Sequence, residues 1–93
     1  MPNNETISPL EFVARARQRD GEQFTVVFEK KDGDVRIMRA GLKTDHDGDL
    51  KQVIEDQKNM ILTVWDYDRT SYRRINLQTL MFADFGRGTV AIA

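Results

Sequence analysis

Two runs of alternating residues, joined by an Asp-Gly pair, constrain the fold of this chain more than any other feature. The runs are Gln23 to Glu29 (QFTVVFE) and Val35 to Arg39 (VRIMR), with Asp32-Gly33 between them. Asp-Gly between two such runs is a strong signal for a tight β-hairpin. Alternate residues of the first run are apolar and share one face: Phe24, Val26 and Phe28. We therefore predict two antiparallel strands joined by this turn.

The later part of the chain also has the pattern of β-structure. Met60 to Asp66 (MILTVWD) is almost continuously apolar, as a strand covered on both faces would be. Tyr72 to Leu77 (YRRINL) alternates and is predicted to be the next strand. Gln78 to Phe82 (QTLMF) is expected to make one helical turn, and Thr89 to Ala93 (TVAIA) a last short strand.

Helix-start signals precede the first strand. Ser8 suits the N-cap, Pro9 the first helical position, and Glu11 completes a capping box. We predict a helix from Pro9 to Arg19, within a helical segment of residues 8–20. Residues 1–7 are polar for the most part, and we expect them to be frayed.

Apolar residues of this helix follow helical spacing. Ile7 and Phe12 occupy the two positions of a hydrophobic staple. The predicted apolar stripe comprises Leu10, Val13 and Ala14, with Arg17 in line. Gly21 is the predicted C-cap, because glycine adopts the left-handed conformation that ends many helices.

One helix followed by five short, closely connected strands predicts a small β-barrel, because closure removes exposed strand edges. Ninety-three residues make one domain, residues 1–93. We predict a mainly β fold, a five-stranded SH3-like (Sm-like) barrel over residues 23–93 with an N-terminal α-helix. An OB-fold is the alternative, although it would require longer strands and usually a helix between the third and fourth.

Composition excludes several classes of function. The chain has no cysteine, which removes disulfides, zinc-thiolate sites and thiol nucleophiles, and suits a reducing cytoplasm. It has no apolar run of membrane-spanning length and no signal-peptide pattern at its start, so we expect a cytoplasmic protein without membrane contact. His46 is the only histidine, and no nucleophile elbow, P-loop or dinucleotide fingerprint occurs. We expect no enzymatic activity and no cofactor.

Thr44 to Asp56 (TDHDGDLKQVIED) resembles a calcium loop, because Asp45, Asp47 and Asp49 alternate as EF-hand ligands do. An EF-hand requires glycine at the sixth position and a bidentate glutamate at the twelfth. Here Leu50 and Asp56 stand at those positions. We therefore predict an acidic, solvated turn and no metal site.

A cluster of basic and aromatic residues is the best candidate for a functional site. Residues 44–68 carry seven acids against two lysines, a net charge of −5, whereas residues 69–93 carry four arginines against one aspartate, a net charge of +3. The candidate ligand-binding residues surround the two hairpins: Arg36, Arg39, Trp65, Tyr67, Arg69, Tyr72, Arg73 and Arg74. Arginines that bind phosphate beside aromatic faces that stack on bases are typical of single-strand-binding barrels.

A structural interpretation of the same cluster stays open. In it, Trp65 and one of the tyrosines fill the core, and the arginines form a solvated rim paired with Asp66 and Asp68. The two aspartates flank the turn after residue 66, so we also expect them to cap that turn.

Two segments resemble a known family. Phe24 to Leu42 (FTVVFEKKDGDVRIMRAGL) resembles the first hairpin, and Ile61 to Leu77 (ILTVWDYDRTSYRRINL) the second hairpin, of small WYL-like, Sm-like SH3-barrel proteins carried by tailed bacteriophages. In the second hairpin, Trp65-Asp66 and Tyr72-Arg73 stand where that family ends an apolar strand in Asp and opens the next with aromatic-Arg. The resemblance, over about residues 24–80, implies the barrel fold and a phage origin, and it implies little chemistry.

Two functions are therefore expected. The first is a small phage-type regulatory module, in the host cytoplasm, that binds nucleic acid or a nucleotide-like ligand through the basic-aromatic cluster. The second is a protein-interaction module that docks on a host enzyme of transcription or defence, through the acidic segment 44–58 or the helix. Self-association is also expected to be possible, because strand 89–93 would leave a sheet edge open.

Overall fold

The fold is a single sheet with one helix against it. The computed structural model describes residues 5–19, 22–42 and 55–93. The elements in chain order are β1 (Thr6–Ile7), α1 (Pro9–Gln18), β2 (Phe24–Glu29), β3 (Val35–Gly41), β4 (Ile61–Asp66), β5 (Ser71–Asn76), β6 (Leu80–Asp84) and β7 (Thr89–Ile92). Residues 55–58 are also helical. The strand order is β1-β7-β6-β2-β3-β4-β5, which confirms the mainly β prediction.

The Asp-Gly hairpin forms as predicted. β2 and β3 pair antiparallel from Phe24 opposite Ala40 to Glu29 opposite Val35. Gly33 adopts a φ of 91°, a left-handed conformation that favours glycine. The Asp34 backbone N–H donates to Asp32 Oδ1 at 3.1 Å, so the aspartate side chain closes the turn.

The apolar residues of both hairpins meet in one core. The buried strand residues include Phe24, Val26, Met38, Leu62, Val64, Ile75, Leu80, Ala83 and Val90. In β4, Leu62, Thr63 and Val64 are all buried, which confirms a strand covered on both faces.

The prediction of a helical turn over residues 78–82 is wrong, because Leu80–Asp84 forms β6. Leu80 and Ala83 are both buried, and their spacing of three is the spacing of a helix. The spacing instead arises from a β-bulge. Val27 pairs with Phe82 whereas Phe28 pairs with Leu80, so Met81 is the extra residue on the bulged strand.

The prediction of five strands with an open edge at residues 89–93 is also wrong. Thr6–Ile7, expected to be frayed, forms β1 and pairs parallel with β7. The Ala91 N–H donates to the Glu5 carbonyl at 3.1 Å, and the Ala93 N–H to the Ile7 carbonyl at 2.9 Å. β7 therefore lies between β6 and β1. The two ends of the described sheet are the two-residue β1 and the six-residue β5.

The helix begins as predicted, but it presents a different face to the core. Ser8 Oγ accepts a hydrogen bond from the Glu11 N–H at 3.1 Å, which confirms the N-cap. Phe12 and Ala16 are buried and Val13 packs against the core, whereas Leu10 is 66% exposed and Ala14 is exposed, so the predicted stripe is correct only at Val13. Gly21, the predicted C-cap, lies outside the described residues.

Aromatic packing sets the face that the helix presents. The Phe12 ring lies 5.8 Å from the Phe24 ring and 5.8 Å from the Phe85 ring, measured between centroids. Such edge and tilted contacts add to the burial of apolar area. Phe12, at the staple position, therefore turns the helix so that Leu10 points away from the core. Among the described helices, none has the length and apolar character needed to cross a bilayer.

The β4–β5 hairpin joins the rest of the sheet at a narrow corner. β4 and β5 pair over six residues, from Ile61 opposite Asn76 to Asp66 opposite Ser71. β3 and β4 pair only at Ala40 with Asp66 and at Gly41 with Trp65. The Tyr67 N–H adds one bond to the Arg39 carbonyl at 3.0 Å.

Gly41 is required at this corner because the Tyr67 ring lies directly against it. A Cβ atom at Gly41 would be 2.8 Å from Tyr67 Cε2 and 3.0 Å from its hydroxyl oxygen. We expect Gly41→Ala to lower the free energy of unfolding in urea by about 1–3 kcal/mol, the usual cost of overpacking. In a Tyr67→Ala background the same change should cost less, because the obstructing ring is gone. An equal cost in both backgrounds would contradict this contact.

Candidate nucleic-acid interface

The eight predicted site residues lie on β3 and on the β4–β5 hairpin, and we call them the basic-aromatic corner. Arg36 and Arg39 are on β3, Trp65 on β4, Tyr67 and Arg69 in the turn, and Tyr72, Arg73 and Arg74 on β5. Strand alternation divides them between two faces of the sheet. Arg36 and Arg73 share the face of the buried Asp66, whereas Trp65, Tyr72 and Arg74 lie on the opposite face.

A buried carboxylate organises the first face. Asp66 is 0% exposed, and its Oδ2 accepts a hydrogen bond from Arg36 Nη2 at 3.0 Å, with Arg73 Nε at 3.6 Å. Its Oδ1 accepts from the backbone N–H groups of Asp68 at 3.0 Å and Arg69 at 3.2 Å. The expectation that Asp66 caps the turn and pairs with arginine is confirmed.

Asp68 has a different role, because it binds Arg39 on the surface. Arg39 Nη2 and Nε both donate to Asp68 Oδ1, at 2.6 and 3.1 Å. The side-chain hydrogen bond from Arg39 lowers the pKa of Asp68 below its ordinary value, and the same bond raises the pKa of Arg39. A lowered pKa means that the pair stabilises the fold above the ordinary pKa of an aspartate, and that acid removes this stabilisation.

Arg74 binds the last residue of the acidic loop. Asp56 is buried, and its Oδ2 accepts from Thr63 Oγ1 at 2.7 Å. Arg74 Nη2 donates to Asp56 Oδ1 at 3.3 Å. Asp56, the twelfth residue of the calcium-like loop, therefore supports the hairpin. Residues 44–54 of that loop lie outside the described residues, and the described ones contain no group of three potential metal ligands.

The aromatic residues form a pair on the opposite face. Trp65 stands directly across from Tyr72, with ring centroids 5.0 Å apart and an interplanar angle of 80°. Tyr72 is 40% exposed, and Trp65 is half-buried. Neither ring belongs to the apolar core, so the structural interpretation, in which Trp65 fills the core, is wrong for this residue. Cross-strand aromatic pairs of this kind stabilise a hairpin, and they also present ring surface to a ligand.

The corner carries an excess of positive charge. Among the residues that the structure describes, its five arginines face three aspartates, which leaves two cations in excess: Arg36, Arg39, Arg69, Arg73 and Arg74 against Asp56, Asp66 and Asp68. Arg69, at the tip of the turn, forms no ion pair with a described residue. The rim interpretation is therefore correct in pairing arginines with Asp66 and Asp68, but the Arg36–Asp66 pair is buried and not solvated. The excess charge leaves the ligand interpretation open.

A cleft of about 480 Å³ lies beside the corner, and sequence reasoning missed it. It lies between the end of the first hairpin and the β5–β6 turn, and is lined by Phe28, Glu29, Lys30, Lys31, Arg74, Asn76 and Thr79. The sequence signal that could have indicated this cleft is the pair Lys30 and Lys31, next to the Asp-Gly turn. No spacing in the sequence indicates that this turn meets a strand more than forty residues later.

A second cavity, of about 540 Å³, lies between the helix and the β6–β7 turn. Its arginines hold the helix in place. Arg15 donates to both carboxylate oxygens of Glu5, at 3.0 and 2.7 Å. Arg19 donates to the carbonyls of Phe85, at 2.7 Å, and Gln23, at 2.9 Å. These bonds account for Arg15 and Arg19 as structural residues.

A family model described as WYL_2, Sm-like SH3 beta-barrel fold, matches residues 17–81. The chain belongs to the WYL_2 family. The matched segment contains the whole corner and the whole cleft of this WYL_2 domain, and leaves out β1 and β7. No curated protein and no solved structure matches the chain.

The family match confirms the SH3-like, Sm-like fold class and excludes the OB-fold alternative. The matched residues begin within α1 and end inside β6. The phage origin that the resemblance implied stays a prediction.

The buried position of Asp66 predicts a large effect on stability. Asp66→Asn keeps an oxygen for the two turn amides and removes the charge that Arg36 and Arg73 share. We expect a loss of about 2–4 kcal/mol in the free energy of unfolding, since partly buried arginines are left without a counter-ion. Asp68→Asn, at an exposed pair, is the matched control and should have a much smaller effect. Similar losses in both variants would contradict the assignment.

Proposed function

We propose that this WYL_2 domain is a non-enzymatic binding module for single-stranded nucleic acid or a nucleotide-like ligand. The observation that carries the proposal is the excess of arginine among the described residues of the basic-aromatic corner, beside the pair of half-buried Trp65 and exposed Tyr72. Arginine binds phosphate oxygens, and every base offers a face that an aromatic ring can contact. A regulatory role in a host cytoplasm belongs to the same proposal.

The state of the carboxylates supports a binding role over a catalytic one. A general base must be free to take a proton from a substrate. Asp56, Asp66 and Asp68 are each held by arginine. Charge neutralisation is therefore the main chemistry that the corner offers.

The overall charge sets the expected character of binding. The chain has a net charge of −1, so long-range attraction of a polyanion is weak and binding depends on the local excess at the corner. Each neutralised phosphate releases counter-ions, so affinity should fall steeply as salt concentration rises.

Arg69 is the residue to change first, because its side chain forms no ion pair with a described residue. We expect Arg69→Ala to weaken the binding of a fluorescein-labelled single-stranded DNA, measured by anisotropy, and to reduce the salt slope by about 0.7, the value for one phosphate contact with a single strand. Arg73→Ala and Arg74→Ala are poorer probes, since each removes a counter-ion of a buried aspartate.

Arg87→Ala is the matched control, because it removes the same charge from the β6–β7 turn. It should leave both the affinity and the salt slope nearly unchanged. Duplex DNA and single-stranded RNA of the same length complete the comparison. Absence of binding by the unmodified domain at low salt, or equal effects of the two arginine changes, would refute the proposal.

A row of exposed and half-buried apolar residues favours docking on a partner protein as a second function. Ile37, Val27, Phe82 and Ala91 are successive cross-strand partners on the outer face of β3, β2, β6 and β7. Ile37 is 69% exposed and Phe82 39%. Contiguous exposed apolar surface of this kind marks many protein interfaces.

Charge substitutions can separate the sheet face from the helix as the docking surface. If the sheet face docks, Ile37→Lys should abolish capture of a partner protein from host lysate while the melting temperature stays near that of the unmodified domain. Leu10→Lys, at an equally exposed leucine of α1, is the control and should keep the partner. Loss only with Leu10→Lys would assign docking to the helix instead.

A further inference from the structure

The cleft beside the corner has walls that suit an anion. Among the described residues that line it, Lys30, Lys31 and Arg74 face a single carboxylate, Glu29. The Lys30 ammonium lies 3.6 Å from Asp32, and Arg74 is shared with Asp56. Lys31 is exposed and forms no ion pair with any residue the structure describes. The walls therefore offer a cation that a ligand can neutralise.

Neutral donors lie in the same cleft. Asn76 Oδ1 accepts a hydrogen bond from the Gln78 N–H at 2.9 Å, so the amide nitrogen is the end of the side chain that is left to donate. Thr79 contributes a hydroxyl group, which donates to the Asn76 carbonyl at 3.1 Å and can still accept. Lysine, arginine and amide donors around one concavity are the groups that bind phosphoryl oxygens.

The cleft continues from the aromatic pair along one strand. Tyr72, Arg74 and Asn76 alternate on the same face of β5. Tyr72 pairs with Trp65, whereas Arg74 and Asn76 line the cleft. Four residues of strand span about 13 Å, the length of roughly four stacked nucleotides at about 3.4 Å each.

We propose that the cleft is a phosphate subsite, and that a single strand of nucleic acid lies along β5 with its bases at the Trp65–Tyr72 pair and a phosphate between Lys31 and Arg74. This inference rests on the proposed function, and it assigns the place where a phosphate of the ligand binds. The cleft volume of about 480 Å³ suits a group of nucleotide size. A free mononucleotide offers the same phosphate chemistry, and the experiment separates the two sources.

Amide chemical shifts locate the phosphate. The ¹⁵N-labelled domain is titrated with thymidine 5′-monophosphate, with thymidine, and with oligothymidylates of two, four and eight nucleotides. We expect the amides of Lys31, Asn76 and Thr79 to shift with every phosphate-bearing probe and not with thymidine. Affinity should rise steeply up to about four nucleotides and then only slowly, since the stretch from Tyr72 to Asn76 has that length.

Lys31→Ala tests the subsite at a residue with no described side-chain contact, so the fold should be retained. We expect weaker octathymidylate binding and a salt slope smaller by about 0.7. Lys58→Ala, at an exposed lysine outside the cleft, is the matched control and should bind as the unmodified domain does.

The outcomes distinguish the subsite from the function on which it rests. If the octanucleotide binds and Arg69→Ala weakens it while Lys31→Ala does not, the subsite is refuted and nucleic-acid binding stands. If only thymidine 5′-monophosphate shifts the cleft amides, binding of a single strand along β5 is refuted, and the cleft is supported as a mononucleotide site. If neither the oligonucleotides nor the monophosphate bind, both the subsite and the function are refuted.

Discussion

The carboxylate of Asp66 holds the β4–β5 hairpin to the rest of the sheet. β3 and β4 share only two residue pairs, whereas the two hairpins pair over six residues each. At this narrow junction Asp66 binds Arg36 of β3, Arg73 of β5 and two amides of the intervening turn. A buried charge is costly unless it is paired and hydrogen-bonded, and here every polar contact of Asp66 joins parts of the corner.

This arrangement divides the arginines of the corner between structure and binding. Arg36 and Arg73 are committed to Asp66 on the core-facing side of the sheet, so they have little freedom to meet a ligand. Arg69 and the aromatic pair remain at the surface, and Arg74 leads from that pair into the basic cleft. The apolar row on β3, β2, β6 and β7 begins at Ile37, two residues from Arg39 of the corner on the same face of β3, so protein docking would use surface adjacent to the ligand-binding region.

Local signals in the sequence were sufficient for the features that local residues determine. Asp32-Gly33 predicted the first hairpin, Ser8 and Glu11 predicted the helix start, and the position of Asp66 before a turn predicted its capping role. These succeed because the residues that make the contacts are only two or three positions apart.

Features that depend on distant residues were missed, because no local pattern in the sequence reports which distant residues meet. β1 is two residues long, and its partner strand is more than eighty residues away. The bulge at Met81 gave β6 the spacing of a helix, and Phe12 rather than the longer stripe through Leu10 set the helix face. Asp56 was assigned to an acidic loop, although it is a buried partner of Arg74. The cleft was missed because it forms only where Lys31 and Asn76, which are distant in sequence, lie close together.

Amide hydrogen exchange of the Asp66→Asn variant tests most directly that this carboxylate holds the hairpin in place. Exchange reports the free energy of opening at each amide, so it separates opening of one hairpin from unfolding of the whole domain. We expect protection of β4, β5 and the Tyr67 amide to fall more than protection of β2 and β6. An equal fall in all strands, or unchanged protection of β5, would contradict it.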